Sequence, residues 1–325
     1  MSNDRHRWAV ILAGGEGRRM QGLIEEWLGY SCPKQFCVFV GTRSMLQHTL
    51  DRVLGLVDPD RIVTVIGEGQ RRFLTSACQG YLPGWLIEQP QDQGTAPAVL
   101  LATALIRTLD PDGTLLISPA DHFAWPESGL VTHLDALLSY AAQNPQRLVL
   151  LAAKPSAPEA DYGWIETGGP ALPGPATLDG FREVLRFQEK PSLGEALQYF
   201  RRGYLWNTMA SAVKAGTLWT LGERLLPRLT RILGRLPLSP QMSTCDLGCT
   251  EIRTPSLKTA YGGMTPADFS RDLLQRSKGK IAATPLQGVA WSDWGRPRRI
   301  VDSLSDLGQD PYFLKGHEQF AGASV

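Results

Sequence analysis

An apolar run, Trp8-Ala-Val-Ile-Leu-Ala13, breaks into Gly14-Gly15-Glu16-Gly17-Arg18-Arg19, and Pro33-Lys34-Gln35-Phe36 follows soon after. Glycines let backbone N–H groups come close to a polyphosphate, and the arginines with Lys34 supply the charge that a triphosphate needs. Further on, Ile117-Ser-Pro119-Ala-Asp121-His122 puts an aspartate where an apolar run ends. A carboxylate there suits Mg²⁺, which takes oxygen ligands and bridges protein to substrate phosphates. An aspartate after a strand also serves as a plain helix cap. His122 has no nucleophilic serine or cysteine motif beside it and reads as structural.

The glycine loop fails two better-known fingerprints. A P-loop needs Gly, four residues and then Gly-Lys-Ser/Thr, which follows no strand here, and the dinucleotide fingerprint needs a third glycine where Met20 stands. A simple tight turn and a phosphate cradle are left, and the nearby Pro-Lys-Gln-Phe favours the cradle.

The elements that position these residues alternate. Strands are expected over 8–13, 61–66, 114–118 and 148–153, and helices over 45–57, 96–109 and 129–142. This alternation predicts an α/β fold, a Rossmann-like, mostly parallel sheet sandwiched by helices. Ligands in such sheets bind beyond the carboxyl ends of strands. Both Gly14–Arg19 and the segment 118–122 follow strands, so both face one rim. A hairpin is expected from 162–167 and 181–187, with the proline- and glycine-rich segment 168–175 as a surface loop. A last helix is expected over 298–307, giving one catalytic domain over 1–307 and a loosely held tail over 308–325.

The chain of 325 residues can bury a large core. Its 33 basic and 32 acidic residues, net +1, leave no footprint for nucleic acid. The cluster Arg296-Pro-Arg298-Arg299 reads as solvated surface. The polar start is followed by an apolar run too short for a signal peptide core or a membrane span. Five cysteines, irregularly spaced, include Cys245-x₃-Cys249 with no histidine or second cysteine pair beside it, which argues against zinc. A reducing cytoplasm is the expected compartment. No internal repeat occurs, and in particular no hexapeptide run of a left-handed β-helix. A homo-oligomer is compatible with the sequence, which does not reveal the oligomeric state.

Leu12-Ala13-Gly14-Gly15-Glu16-Gly17-Arg18-Arg19-Met20 and Pro33-Lys34-Gln35-Phe36 resemble the opening of the sugar-phosphate nucleotidyltransferase family, most of all its mannose-1-phosphate guanylyltransferase branch. That family reads Leu-Ala-Gly-Gly-x-Gly-Thr-Arg-Leu and then Pro-Lys-Gln-Phe. Arg19 takes the position of the family's arginine, while Arg18 replaces a small hydroxyl residue. Asp121 matches the metal-binding aspartate of the family's Pro-Ala-Asp-His. Trp291-Ser-Asp293-Trp-Gly295 is similar to Trp-Ser-Asp-x-Gly, whose aspartate is the second metal ligand, although Arg296-Pro297 stands where the family continues Ser-Trp. Glu88–Ala98 resembles the base-reading loop Glu-Pro-x-x-Arg-Asn-Thr-Ala-Pro-Ala, which implicates Gln89, Gly94 and Thr95. Gln93 replaces its arginine and Gly94 its asparagine. Read by itself, Thr95 is also a good helix N-cap.

On the sugar-phosphate side, Tyr162-Gly163-Trp164-Ile165 resembles Tyr-Gly-Tyr-Ile, in which the glycine lets the hexose lie against the backbone. Glu189 and Lys190 match Phe-x-Glu-Lys-Pro, implying bonds to sugar hydroxyls and to the sugar phosphate. Asn207 matches Leu-Trp-Asn-Ser, after which Met209-Ala-Ser211 departs from the family's Gly-Met-Phe. Asp268 resembles the aspartate of Ile-Asp-Tyr-Ala. At this length the chain is a short form without the isomerase domain of some guanylyltransferases.

The resemblance implies nucleotidyl transfer: a sugar 1-phosphate oxygen attacks the α-phosphorus of a nucleoside triphosphate and pyrophosphate leaves. Leu12, Gly14, Gly15 and Gly17 would line the nucleotide, Arg19 would clamp the pyrophosphate and Lys34 would stabilise the α-phosphate. Asp121 and Asp293 would hold Mg²⁺. GTP and mannose 1-phosphate are the implied pair, with another nucleotide or a hexose or heptose phosphate as the alternative. A binding homologue without turnover would not need all of Arg19, Lys34, Asp121 and Asp293. No Asp-x-Asp ends a strand, which argues against a glycosyltransferase.

Overall fold

The computed structural model of the chain describes residues 3–173, 180–238, 243–252 and 256–314. Strand β1 (Arg7–Leu12) runs through the middle of the sheet with its inner residues buried. It pairs in parallel with β2 (Ile62–Gly67) and, further along the chain, with β4 (Thr114–Pro119). Strand β3 (Trp85–Gln89) extends the parallel run beyond β2. These strands are β-branched and leucine-rich because helices cover both faces. Two apolar layers result, one on each side of the sheet. The helix Thr95–Leu109 illustrates this, since residues 96–106 are all buried.

The sheet is less uniformly parallel than alternation alone predicts. After β5 (Phe123–Trp125) and β6 (Leu148–Ala153) come the hairpin of β7 (Gly163–Leu172) and β8 (Phe181–Glu189), and then β9 (Leu205–Lys214). Strand β9 inserts between β4 and β6 and is antiparallel to both. With β10 (Ser243–Thr244), β11 (Thr250–Glu251) and β12 (Ile281–Pro285), the sheet order is β10-β11-β3-β2-β1-β4-β9-β6-β12-β8-β7. A separate ribbon pairs β13 (Ala290–Ser292) with β5. This ribbon carries Asp293 back to the end of β4, where Asp121 lies.

The expected helices occur as Met45–Leu54, Thr95–Leu109, Glu127–Gln143 and Pro297–Ser305. Thr95 is the first helical residue and Gly94 is the cap. The threonine hydroxyl instead accepts from Phe269 N at 2.8 Å, so it ties two elements together. The segment 168–172 continues β7, while 174 and 175 of the expected loop lie outside the described residues. Residues 308–314 are packed: Tyr312 N donates to Phe39 O and Phe313 meets Trp27 and Phe39 edge-on. The rest of the expected tail, 315–325, lies outside the described residues. Cys245 and Cys249 form a disulfide, which reducing compartments disfavour, so the expectation of reduced thiols fails for this pair. No helix among the described residues is long and apolar enough to cross a membrane.

Candidate active site

The glycine loop turns directly off β1. Ala13 N donates to Val65 O, and Ala120 N donates to Leu12 O, so the ends of β1 and β4 are tied at one rim. Gly17 takes φ 64°, a conformation that costs other residues energy, and caps the helix Arg18–Leu28. Gln35 fixes the loop from below, its amide donating to the carbonyls of Ala13 at 2.5 Å and Gly15 at 2.8 Å. Gln70 adds a bond to Gly14 O at 3.1 Å. The loop carbonyls are thereby occupied by side chains.

A cavity of about 310 Å³ opens over this rim, lined among others by Leu12, Gly14, Gly15, Gln89, Gly94, Thr95 and Asp121. Of the residues expected to contact nucleotide, all but Gly17 and Arg19 therefore share one cavity. Gly17 and Arg19 line an adjoining cavity of about 250 Å³ with Lys34, Asp121 and Gly295. Asp121 borders both. The departure at Gln93 is not on the cavity wall: Gln93 is buried and its amide donates to Tyr261 O at 3.3 Å. Gly94, at φ 85°, swings the chain so that Asp92 faces the cavity instead. A Cβ on Gly94 would collide with the carbonyl of Ala267.

Lys34 is 4% exposed and joins the two expected metal aspartates. Its ammonium contacts Asp121 Oδ2 at 2.8 Å and donates to the backbone carbonyl of Asp293. Burial alone would raise the Asp121 pKa, but the Lys34 charge outweighs it and holds the carboxyl below its ordinary value. Burial likewise pushes Asp293 up, and the nearby Arg299 and Lys34 charges overturn that and hold it well down. Both groups are therefore carboxylates at neutral pH. His122 packs edge-on against Trp291, and burial lowers its pKa.

Asp293 sits inside an ion-pair network. Its Oδ1 accepts from Tyr162 O–H at 2.8 Å, Arg299 Nη1 at 2.8 Å and Gly295 N at 3.0 Å. Its Oδ2 accepts from Arg19 Nη2 at 3.3 Å. Arg19 also donates to Asp161 at 3.0 Å and is half exposed. Arg299 reaches Glu159 at 2.8 Å, and Arg296 bonds Asp161 at 2.7 Å. The basic cluster read as solvated surface is thus partly the scaffold of Asp293, and Arg298 is its one member turned almost wholly to solvent. Pairing across more than 130 positions left no local signal in the sequence.

On the other side, Gly163 packs beneath Glu189 and Asn207, where a Cβ would come within 2.6 Å of Glu189 Oε2. Burial, and then the nearby Asp268 charge, raise the Glu189 pKa to about 7. Lys190 lies 3.7 Å from Glu189 with its own side chain mostly exposed. Asn207 Oδ1 accepts from Met209 N at 3.1 Å, and Met209 borders the same cavity as the glycine loop. Asp268 also borders it and caps its own short helix by accepting from Arg271 N. Lys190, Met209 and Trp294 take positive φ of 45°, 66° and 44°. Such strain in non-glycine residues persists where the surroundings over-determine it, and these three neighbour Glu189, Asn207 and Asp293.

A helix-covered sheet whose strand ends carry a glycine loop, a buried lysine and two carboxylates is the architecture of a nucleotide-handling α/β protein. Residues 8–309 match the nucleotidyl transferase family model, and the chain belongs to that family. The chain is 33% identical over 301 residues to mannose-1-phosphate guanylyltransferase 2 of Escherichia coli O157:H7, covering 90% of this chain and 59% of that protein. It is 34% identical over 202 residues to the xanthan biosynthesis protein XanB of Xanthomonas campestris pv. campestris, covering 61% of this chain and 40% of that protein. It therefore spans well under two thirds of either relative. A crystal structure titled mannose-1-phosphate geranyltransferase, from Thermus thermophilus, superposes with a TM-score of 0.74 at 26% identity, covering 94% of this chain and 80% of the other.

Proposed function

We propose that this chain, through one catalytic unit spanning 1–307, joins a sugar 1-phosphate to a nucleoside triphosphate and releases pyrophosphate, with mannose 1-phosphate and GTP as the pair. The observation that carries this reading is Lys34 held between Asp121 and Asp293 at the rim of the glycine-loop cavity. The names of the E. coli and Thermus proteins support the choice of substrates.

A phosphate monoester is already a competent nucleophile, so positioning and charge neutralisation carry the reaction. Leu12, Gly14, Gly15 and Gly17 bring backbone N–H groups against the triphosphate, and Gln89, Gly94 and Thr95 border the space for base and ribose. Arg19, half exposed and bonded to carboxylates at 3.0 Å and 3.3 Å, exchanges them for the departing pyrophosphate. Lys34 faces the α-phosphate from the floor. Gly163, Glu189 and Asn207 hold the sugar hydroxyls, and Lys190 the sugar phosphate.

The donor set fits Mg²⁺. Asp121 and Asp293 offer only carboxylate oxygens, and no group of three or more His, Cys, Asp or Glu able to hold a metal occurs among the described residues. Mg²⁺ is commonly held by one or two carboxylates, with water and substrate phosphate completing its shell. When bound by Asp121 and Asp293, it would supply charge neutralisation at the α-phosphate.

The test is pyrophosphate release by the purified protein with Mg²⁺, offering each nucleoside triphosphate against a panel of sugar 1-phosphates. GTP with mannose 1-phosphate is expected to lead. Release with a different pair would overturn the substrate reading alone, and no release with any pair would overturn the activity.

A further inference from the structure

We propose that Arg299, working with Tyr162, is a positioning residue for Asp293 that fixes Oδ1 and leaves Oδ2 for a divalent cation, an inference that rests on the metal reading above. The two carboxylate oxygens are treated unequally. Oδ1 accepts three bonds, from Tyr162 O–H and Arg299 Nη1 at 2.8 Å each and from Gly295 N at 3.0 Å. Among the described residues Oδ2 has Arg19 Nη2 alone, at 3.3 Å, on a side chain that is half exposed and free to leave. A carboxylate pinned through one oxygen cannot rotate, and its other oxygen stays aimed at the cavity that Arg19, Lys34, Asp121 and Gly295 line.

The clamp is itself clamped. Arg299 is 13% exposed, its Nη2 bonds Glu159 at 2.8 Å and Asp161 at 3.4 Å, and its guanidinium lies 4.6 Å over the Tyr162 ring. Glu159 and Asp161 offset its charge, so the cation orients Asp293 with little net repulsion toward a metal. Local sequence builds this geometry. Pro297 starts the helix Pro297–Ser305 with a pre-set φ and no wasted N–H, and Arg299 follows in the first turn with its N bonded to Arg296 O. Asp293, Arg296 and Arg299 therefore belong to one short segment folded against β7 and the loop before it. The fork geometry matters, since a lysine would keep the charge but could not bond Asp293 and Glu159 in parallel.

Partners of metal-ligating groups set ligand orientation, and their loss typically weakens metal binding by about 10- to 100-fold. The test is Mn²⁺ binding, followed by electron paramagnetic resonance of the free ion, to the wild type and to Arg299→Met, Arg299→Lys and Tyr162→Phe, without substrates. Arg299→Met is expected to weaken Mn²⁺ by about tenfold or more, with Arg299→Lys in between. Tyr162→Phe keeps the ring and deletes one donor, so it provides a measurement even where Arg299→Met fails to fold, and it is expected to weaken Mn²⁺ several-fold. In turnover, the apparent metal activation constant should rise while KM for the sugar 1-phosphate is unchanged. Unaltered or tighter Mn²⁺ binding in both Arg299→Met and Tyr162→Phe would overturn the inference while leaving the proposed reaction standing. Weakened Mn²⁺ binding in a protein that turns over no substrate pair would support the clamp and overturn the reaction.

Discussion

Replacing Glu189 by glutamine should remove a pH-dependent weakness from the fold. The Glu189 side chain is 12% exposed, and burial, together with the Asp268 charge, lifts its pKa from the ordinary 4.5 to about 7. Lys190, at 3.7 Å, offsets only part of this. Because the folded-state pKa is the higher one, the folded protein binds the proton more tightly than the unfolded chain does. The benefit of that proton is complete below pH 4.5 and is lost as pH rises through 7. A rise of this size corresponds to about 3 kcal/mol. Urea denaturation of wild type and Glu189→Gln at several pH values between about 4.5 and about 8.5 measures it. The stability of the variant relative to wild type should climb by up to about 3 kcal/mol across the window from about 4.5 to about 7 and level off above it. A difference that stays constant with pH would refute the reasoning, because it would mean Glu189 titrates alike in the folded and unfolded chains.

Two glycine replacements probe the backbone at the site. Gly94→Ala combines a φ of 85° with a collision against the Ala267 carbonyl, and urea denaturation should show a loss of about 2 kcal/mol or more. Gly163→Ala puts a methyl within 2.6 Å of Glu189 Oε2 and 3.2 Å of Asn207 Cβ. Steady-state kinetics should show KM for the sugar 1-phosphate rising several-fold, with KM for the triphosphate nearly unchanged.

The parallel half of the fold was legible because buried strands and amphipathic helices leave periodic traces. The regions around β1, β4 and β6 fall within a residue or two of expectation. The shared rim was also legible, since a glycine loop and Pro-Ala-Asp-His each follow a strand. Strand β9 was not, because insertion between β4 and β6 depends on long-range pairing that local pattern does not encode. The roles of Gln93 and Asp92 turn on one rotation of the backbone at Gly94, which sequence spacing does not specify. The cluster Arg296-Pro-Arg298-Arg299 looked solvated because its partners, Glu159 and Asp161, lie far away in the chain. Oppositely charged residues in sequence say nothing of which pairs are buried. The positive φ of Lys190, Met209 and Trp294 is equally silent in the sequence, since none is a residue type that favours that conformation.

The most direct test compares pyrophosphate release from GTP and mannose 1-phosphate by wild type and Asp121→Asn in the presence of Mg²⁺. Asparagine keeps the size of the side chain but removes the charge that Lys34 meets at 2.8 Å. The account predicts release matched by formation of GDP-mannose in the wild type, and a loss of at least about 100-fold in the variant. Undiminished release by Asp121→Asn would contradict it.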